Sequence, residues 1–211
     1  MPVNNIQGLI SAVFGDIMEL GTDEETDVSL RTRIREKIGG PAENGNKQHY
    51  KTWCESVEGV GRAKIIPLWN GPNTVKGIII NSEGLPADRA LIEKVQEYVD
   101  PREEGLGEGV ANLGAHFTAV SAEEKKINIY FTAKLKSDEV EEQVSAEIIR
   151  YLKELNLKDE REVKIFQIGY IINALVSDYN YESLTLNGKS KNIELTEEQT
   201  AVLGEVIIDV L

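Results

Sequence analysis

The sequence predicts an α+β fold made of two small modules, each resembling an α/β sandwich, that follow an N-terminal helical segment. Alternating apolar and polar residues indicate strands, apolar stripes at helical spacing indicate helices, and clusters of turn-forming residues separate them. At 211 residues the chain is long enough for two small cores. We expect an N-terminal segment at residues 1–40, a remnant of a larger domain, a first α+β module at 41–121 and a second at 122–211.

The N-terminal segment is expected to contain one helix. An acidic run at 22–27 precedes an apolar stripe at four-residue spacing, so a helix is predicted over 28–38 with Thr26 or Asp27 as its N-cap. The acids lack the ligand order of a helix-loop-helix calcium site, and they suit the start of a helix dipole better. The turn-forming residues 39–46 then mark a boundary.

The first module is predicted to have the element order α-β-β-α-β. Its helices are expected at 47–55 and 87–99, and its strands at 62–69, 74–81 and 115–120. The turn at 70–73 makes the first two strands a hairpin, Asp100-Pro101 ends the second helix, and the glycine-rich, acidic residues 102–114 predict an exposed loop. This order suggests a split, ferredoxin-like layer of helices on a sheet.

The second module is predicted to have the order β-α-α-β-β-β. Residues 126–136 alternate strictly, and Ser137-Asp138 begins a long helix that reaches about Leu155. The almost wholly apolar stretch 163–176 favours a buried helix by its length, although its β-branched residues leave a strand open. Strands are expected at 179–186, 192–195 and 204–210, with Asn187-Gly188 as a turn.

The composition argues against several classes of partner. A formal net charge of −13 disfavours a nucleic-acid groove and an anionic membrane surface. No apolar stretch approaches the roughly 20 residues that span a bilayer, and the N-terminus does not resemble a signal peptide. We therefore expect synthesis in the cytoplasm, no nucleic-acid partner and no membrane partner.

No motif in the sequence predicts catalysis, a cofactor or a metal. Cys54 is the only cysteine and is expected to be a buried apolar residue, while His49 and His116 have no second ligand at zinc spacing. The glycines at 59–61 are too few for a phosphate-binding loop, and no serine-hydrolase elbow is present. We therefore expect a non-enzymatic protein without cofactors or metal sites.

Three groups of motifs stand in a defined order along the chain. They are GTDEETD at 21–27 with SLR at 29–31; HYKTW at 49–53, VGRAK at 60–64, PLWNGPNTV at 67–75, GLPA at 84–87 and YVDP at 98–101; and LTLNG at 184–188 with VLGEV at 202–206. Across residues 4–210 this series resembles the C-terminal part of the phage baseplate J-like protein family. Met1 falls well inside the family's pattern, so we expect a fragment of a longer protein or a truncated gene.

The resemblance implies a structural wedge component of the baseplate of a contractile phage tail or prophage-derived tail particle. Such proteins build a ring around the tail hub and have no known catalytic residues, so none is transferred to this chain. The implied partners are other baseplate and tail proteins, with copies of the chain itself as a further option. The implied locations are the host cytoplasm during virion assembly and then the tail baseplate.

Four aromatic residues are candidate anchors for protein–protein interaction: Trp53, Trp69, Tyr170 and Tyr181. Core packing is the competing interpretation for each, and Trp69, beside a turn, is expected to be partly exposed. The alternative function is a non-catalytic small-ligand-binding or regulatory module, by analogy with ferredoxin-like folds. A cell-wall hydrolase is a third hypothesis, which would need a catalytic pair in a cleft.

Overall fold

The computed structural model describes Asp27 and residues 45–134, 137–176 and 178–210. The helix predicted over 28–38 lies outside the described residues. The chain divides between residues 39 and 40, and everything described from residue 45 onward belongs to one compact unit. The fold below is that of this unit.

The α+β class is confirmed by four helices and eight strands among the described residues. In chain order they are α1 (Lys47–Glu55), β1 (Val60–Pro67), β2 (Thr74–Asn81), α2 (Arg89–Val99), β3 (His116–Ser121), β4 (Glu123–Ala133), α3 (Asp138–Leu157), β5 (Glu162–Val163), α4 (Ile165–Leu175), β6 (Tyr179–Leu186), β7 (Ile193–Glu194) and β8 (Gln199–Val210). The long helices begin at polar caps, because the side chains of Asn46, Asp88 and Ser137 accept hydrogen bonds from the first turns of α1, α2 and α3.

The first sheet has the strand order β1-β2-β3. β1 and β2 form the predicted antiparallel hairpin, and β2 and β3 are parallel. Parallel neighbours need a long crossover, which here contains α2. The predicted ferredoxin-like arrangement is not confirmed, because this sheet is a hairpin extended by one β-α-β crossover and has three strands.

Helices α1 and α2 pack against the first sheet around an aromatic centre. The rings of Tyr50 and Phe117 are stacked 5.7 Å apart, and Cys54 and Val95 are fully buried beside them. Gly77 leaves room for this arrangement, since a Cβ there would lie 2.4 Å from the ring of Phe117. The reverse face of β2 buries a smaller cluster that includes Ile78 and Ile80.

The second sheet has the order β6-β4-β8, with β4 antiparallel to β6 and parallel to β8. α3 and α4 supply the helical side of its core, which includes the fully buried Ile148, Ile168 and Ile172. The predicted turn at Asn187-Gly188 is confirmed by positive φ angles of 48° and 74°. The apolar stretch 163–176, for which the sequence favoured a helix without excluding a strand, forms a helix from Ile165 to Leu175.

Several boundaries differ from the predicted ones for identifiable reasons. β1 ends at Pro67 because Leu68 turns back with φ 58° and donates its N–H to the carbonyl of Thr74 at 2.7 Å. β4 and β8 begin earlier than their alternating patterns, at Glu123 and Gln199, because parallel backbone pairing joins them from those residues onward. Backbone pairing thus extends the strands beyond what side-chain periodicity indicates.

Each of the two three-stranded sheets has one outer edge bonded by an amide side chain from a neighbouring helix; a third sheet pairs only the short β5 and β7. At β3, Gln96 of α2 accepts from the N–H of Ala119 at 2.7 Å and donates to the carbonyl of Phe117 at 2.8 Å. At β8, Asn156 of α3 accepts from the N–H of Ala201 at 3.0 Å and donates to its carbonyl at 2.8 Å. These amides take the place that a further strand would occupy.

Asn156 also joins the turn between β2 and α2 to the second core. Its Nδ2 donates to the carbonyl of Gly84 at 2.9 Å, and the side chain is almost fully buried. Gly84 has φ 73°, and a Cβ there would lie 3.0 Å from the backbone of Lys153. The close approach of this turn to α3 therefore depends on a glycine.

Candidate interaction surfaces

Tyr170 and Tyr181 lie on the same groove, between α4 and β6. The groove has a volume of about 530 Å³. The side chains of Tyr170 and Tyr181 are 64% and 71% exposed, so neither belongs to the core. The structure thus brings these two candidate residues together; whether they contact a partner stays a prediction.

Phe166 is the most exposed aromatic residue of this groove and was not among the candidates from the sequence. It is 81% exposed and lies one helical turn before Tyr170. The signal was present in the sequence of α4, IFQIGYIINAL, which has no charged residue and, besides Tyr170, only two polar side chains, Gln167 and Asn173. A helix needs only one apolar stripe to pack on a sheet, so an apolar outer face predicts a second contact.

Gly169 forms the floor of the groove beneath these rings. A Cβ at this position would lie 3.1 Å from the hydroxyl of Tyr179 and 3.3 Å from Cδ2 of Leu184, both of which line the groove. The absence of a side chain at Gly169 therefore gives the groove its depth. Burial raises the pKa of the Tyr179 hydroxyl above its ordinary value.

Charge is sparse in the groove. Among the described residues that line it, Glu182 alone is charged, and the hydroxyl of Tyr181 lies 3.3 Å from its carboxylate. Asn173 and Ser190 supply the remaining polar side chains, apart from the tyrosine hydroxyls. The surface thus offers aromatic area with a few hydrogen-bonding groups at its border, as the centre of a protein interface does.

A second, smaller groove runs along the other side of Tyr170, between α3 and α4. It has a volume of about 280 Å³ and includes Glu147, Arg150 and Leu175. Arg150 forms an ion pair with Glu147 on the surface of α3. Because Tyr170 lines both grooves, the outer face of α4 is one continuous surface.

Trp69 lies at the tip of the β1–β2 hairpin, far along the chain from the tyrosines. It is 42% exposed, which confirms the prediction of partial exposure, and the ammonium of Lys76 lies 5.1 Å from the centre of its ring. Leu68 beside it and Leu113 of the glycine-rich loop are also exposed. β3 begins next to this turn, where His116 donates its N–H to Asn73, so these side chains lie at one end of the first sheet.

Trp53 is half-buried on α1 and packs against the first core. Its ring lies 5.0 Å from that of Tyr50 in an edge-on arrangement and 3.9 Å from that of His49. Most of its contact is therefore internal. Its role as an interface anchor stays a prediction.

Groups able to do chemistry are separated from one another. Cys54 is fully buried, and burial raises the pKa of its thiol to about 12. Nδ1 of His116 lies 3.1 Å from the carbonyl of Glu103. Among the described ranges, no three His, Cys, Asp or Glu side chains are grouped as metal ligands. Within those same ranges, no helix has the length and apolar character needed to cross a bilayer.

Two adjacent family models match the chain. Residues 42–121 match the baseplate J-like central domain, and residues 127–209 match the baseplate J-like protein C-terminal domain.

Similar proteins occur in bacteria and phages. The chain is 37% identical over 214 residues to the phage-like element PBSX protein XkdT of Bacillus subtilis, an alignment that covers 99% of the chain and 60% of that relative. It is 30% identical over 122 residues to baseplate protein gp47 of Escherichia phage Mu, covering 54% of the chain and 33% of gp47. The chain thus spans about three fifths of the length of its Bacillus relative.

The fold also matches a solved assembly. A chain in the cryo-EM structure of the anti-feeding prophage baseplate superposes with a TM-score of 0.57 at 14% identity, over 86% of this chain and 42% of that one. At this identity the match establishes similarity of fold. The two family models, which between them match residues 42–121 and 127–209, show that this chain belongs to the baseplate J-like protein family.

Proposed function

We propose that this chain is a structural component of a phage or prophage tail baseplate and that it acts through protein–protein contacts. The family, the baseplate protein among its relatives and the fold shared with a prophage baseplate support this role. The observation in the structure that supports it most is the uncharged, aromatic outer face of α4. In this role the protein joins a wedge or ring within the baseplate.

The groove between α4 and β6 is the docking face in this proposal. Its occupant is an apolar segment of a neighbouring tail protein, because an uncharged face on a helix that already packs inward needs a second apolar surface. Phe166, Tyr170 and Tyr181 act as anchors. Glu182 at the border favours a basic residue beside the apolar segment.

A protein partner suits this groove better than a small ligand does. Small-ligand pockets enclose most of their ligand, whereas the three aromatic side chains here are all more than 60% exposed. The alternative role, a ligand-binding or regulatory module, predicts thermal-shift hits from a metabolite library. The proposal predicts none.

The remaining parts of the role follow from the same proposal. The chain acts without catalysis or cofactors, contacts other baseplate proteins and copies of itself, and binds neither nucleic acid nor membrane. It is made in the host cytoplasm and ends in the tail baseplate of a virion or prophage-derived particle. Trp53 and Trp69 are further candidate contacts, with Trp69 the more accessible of the two.

We propose in addition that the chain is organised as an N-terminal segment at 1–40 and two modules at 41–121 and 122–211. The two family matches, at 42–121 and 127–209, support this division. So do the separate helix-covered cores of the two sheets. Asn156 then acts as a buried polar contact between the modules.

Incorporation into tail particles tests the docking face. The double variant Phe166→Ser/Tyr170→Ser is expressed in place of the natural chain in the bacterium that encodes it, and purified particles are probed for the chain by immunoblot. Because buried aromatic anchors each contribute about 2 kcal/mol or more, we expect incorporation to fall at least about tenfold.

Tyr98→Ser is the matched control, since Tyr98 is an exposed aromatic residue on α2 outside the groove. It is expected to be incorporated like the natural chain. Electron microscopy of particles with the labelled chain supplies the second readout. Label found away from the baseplate end, or normal incorporation of the double variant, would contradict the proposal.

A further inference from the structure

A second concave surface, unlike the aromatic groove, lies where the first sheet meets the end of α3. This cleft has a volume of about 310 Å³ and is lined by α1, β1, the turn after α3 and the residues before β8. The first two elements lie within residues 42–121 and the others within 127–209, the two regions that match family models. The cleft therefore exists only where both regions are present.

The cleft concentrates positive charge in a strongly acidic chain. Its lining includes the cations Lys47, Lys51, Arg62, Lys64 and Arg161. The formal charge of the whole chain is −13, so a cluster of five cations departs sharply from the average surface. Such a cluster creates a local positive potential that attracts anions.

Two carboxylates in the lining offset only part of this charge. Asp159 is shared between two cations, lying 3.4 Å from Nη2 of Arg62 and 3.2 Å from Nζ of Lys64. Glu197 lies 2.8 Å from Nη1 of Arg161. Nε of Arg62 is buried and has no hydrogen-bond acceptor among the described residues. Outside the lining, Glu55 lies 3.9 Å from Nζ of Lys51. The five cations thus outnumber the three carboxylates that pair with them.

The backbone at Asp159 adopts an unusual conformation that holds its carboxylate in the cleft. Asp159 follows the end of α3 with φ 59°, a left-handed conformation usually taken by Gly or Asn. The helix end is closed around it, because the N–H of Glu160 donates to the carbonyl of Leu155 at 3.1 Å. Asp159 therefore acts as a built-in anion that occupies part of the cleft.

We propose that this cleft binds an acidic segment of a partner protein, whose carboxylates pair with Lys47, Lys51, Lys64 and Arg161. Arg62, held by Asp159 and by the carbonyl of Leu157 at 3.0 Å, positions the floor. Lys64, with only 11% of its side chain exposed, is the cation whose pairing is least screened by water.

An acidic polypeptide fits this cleft better than a nucleic acid does. Nucleic-acid binding needs cations spread along a groove that follows many phosphates, whereas here they converge on one small cavity. The net negative charge would also repel a polyanion of high charge density. A few carboxylates on a flexible segment avoid most of that repulsion.

Fluorescence anisotropy with a labelled oligoglutamate peptide tests the proposal on the full chain. We expect binding at low ionic strength that weakens with added salt, and no binding of an oligoglutamine peptide of equal length. The variant Lys64→Gln/Arg161→Gln is expected to bind oligoglutamate about tenfold more weakly. Asp159→Asn removes the built-in anion while keeping a residue suited to its backbone, so its affinity is expected to rise about threefold.

Lys94→Gln, a change of an exposed lysine on α2 outside the cleft, is the control and is expected to bind like the natural chain. Equal binding by the natural chain and the double variant would overturn the proposal. Tighter binding of an oligothymidylate than of oligoglutamate would overturn it as well. The cleft and the aromatic groove share no lining residue, so failure of either proposal leaves the other standing.

Discussion

α2 on the first sheet and α4 on the second are both eleven residues long, and each packs one face against its own sheet. Their outer faces differ. α2 presents charged side chains to water, among them the ion pair between Arg89 and Glu93, whereas α4 has no charged residue and presents Phe166 and Tyr170. Core packing accounts for only one face of each helix. The difference therefore supports the proposal that a partner protein covers the outer face of α4.

The cores beside the two three-stranded sheets are built alike, which makes the outer difference easier to interpret. Each sheet has a helix-covered core, and each has a strand edge bonded by an amide, Gln96 at the first sheet and Asn156 at the second. Neither core is therefore short of internal contacts. The exposed aromatic side chains of α4 are therefore not needed to complete either core.

The largest expected effect contrasts the two faces of α4. Ile168 is fully buried, so Ile168→Ala is expected to lower the free energy of unfolding by about 3 kcal/mol through lost burial and the cavity left behind. Phe166→Ala, on the exposed face, is expected to change it by less than about 0.5 kcal/mol. Urea unfolding followed by circular dichroism measures both. A large loss from Phe166→Ala would mean that the outer face contributes to folding, and the comparison would fail.

A smaller effect is expected from the two amides that bond the strand edges. Asn156→Ala leaves the N–H and the carbonyl of Ala201 buried and without their amide partner, and is expected to cost about 2 kcal/mol. The Gly84 carbonyl loses its shorter hydrogen bond and keeps the one from the Thr200 hydroxyl at 3.4 Å. Gln96→Ala, at a partly exposed site where water replaces some of the bonds, is expected to cost about 1 kcal/mol. The same unfolding experiment ranks them. The reverse order would show that the bonds of Asn156 to β8 and to the turn at Gly84 contribute less to stability than the bonds of Gln96 to the edge of β3.

The smallest effect is a dependence of stability on pH, and it comes from Cys54 in the core beside the first sheet. The Cys54 thiol has a pKa of about 12 when folded and 9.0 as the reference value for the unfolded chain. Above pH 9 the unfolded chain loses the proton that the folded chain keeps, so stability from this group is present below pH 9 and is lost as the pH rises towards 12. Between pH 8 and 10 we expect a loss of about 1 kcal/mol that Cys54→Ala lacks. An equal pH dependence in that variant would contradict a buried thiol.

The sequence predicts most elements of this fold because their signals are local. α1, β2 and β6 have the predicted boundaries, since caps, turns and periodicity all lie within each segment. The strand order could not be predicted in the same way. β3 pairs in parallel with β2 and β8 pairs in parallel with β4, and such pairing depends on contacts between residues distant in the sequence.

The candidate surfaces were only partly predictable. Tyr170 and Tyr181 were chosen as aromatic residues, but nothing local distinguishes them from Trp53, which packs largely inward. Phe166 could not be distinguished from its neighbours in the sequence, because it belongs to an apolar run with the pattern of a buried helix. The basic cleft brings together Lys64 and Arg161, which lie almost 100 residues apart in the sequence, so no local motif predicts it.

Hydroxyl-radical footprinting of the free chain and of purified tail particles measures most directly whether the outer face of α4 is covered. Phe166, Tyr170 and Tyr181 are expected to be oxidised readily in the free chain and protected in the particle. Tyr98 on α2 is expected to react to the same extent in both. Equal oxidation of Phe166 and Tyr170 in the free chain and the particle would contradict the central claim.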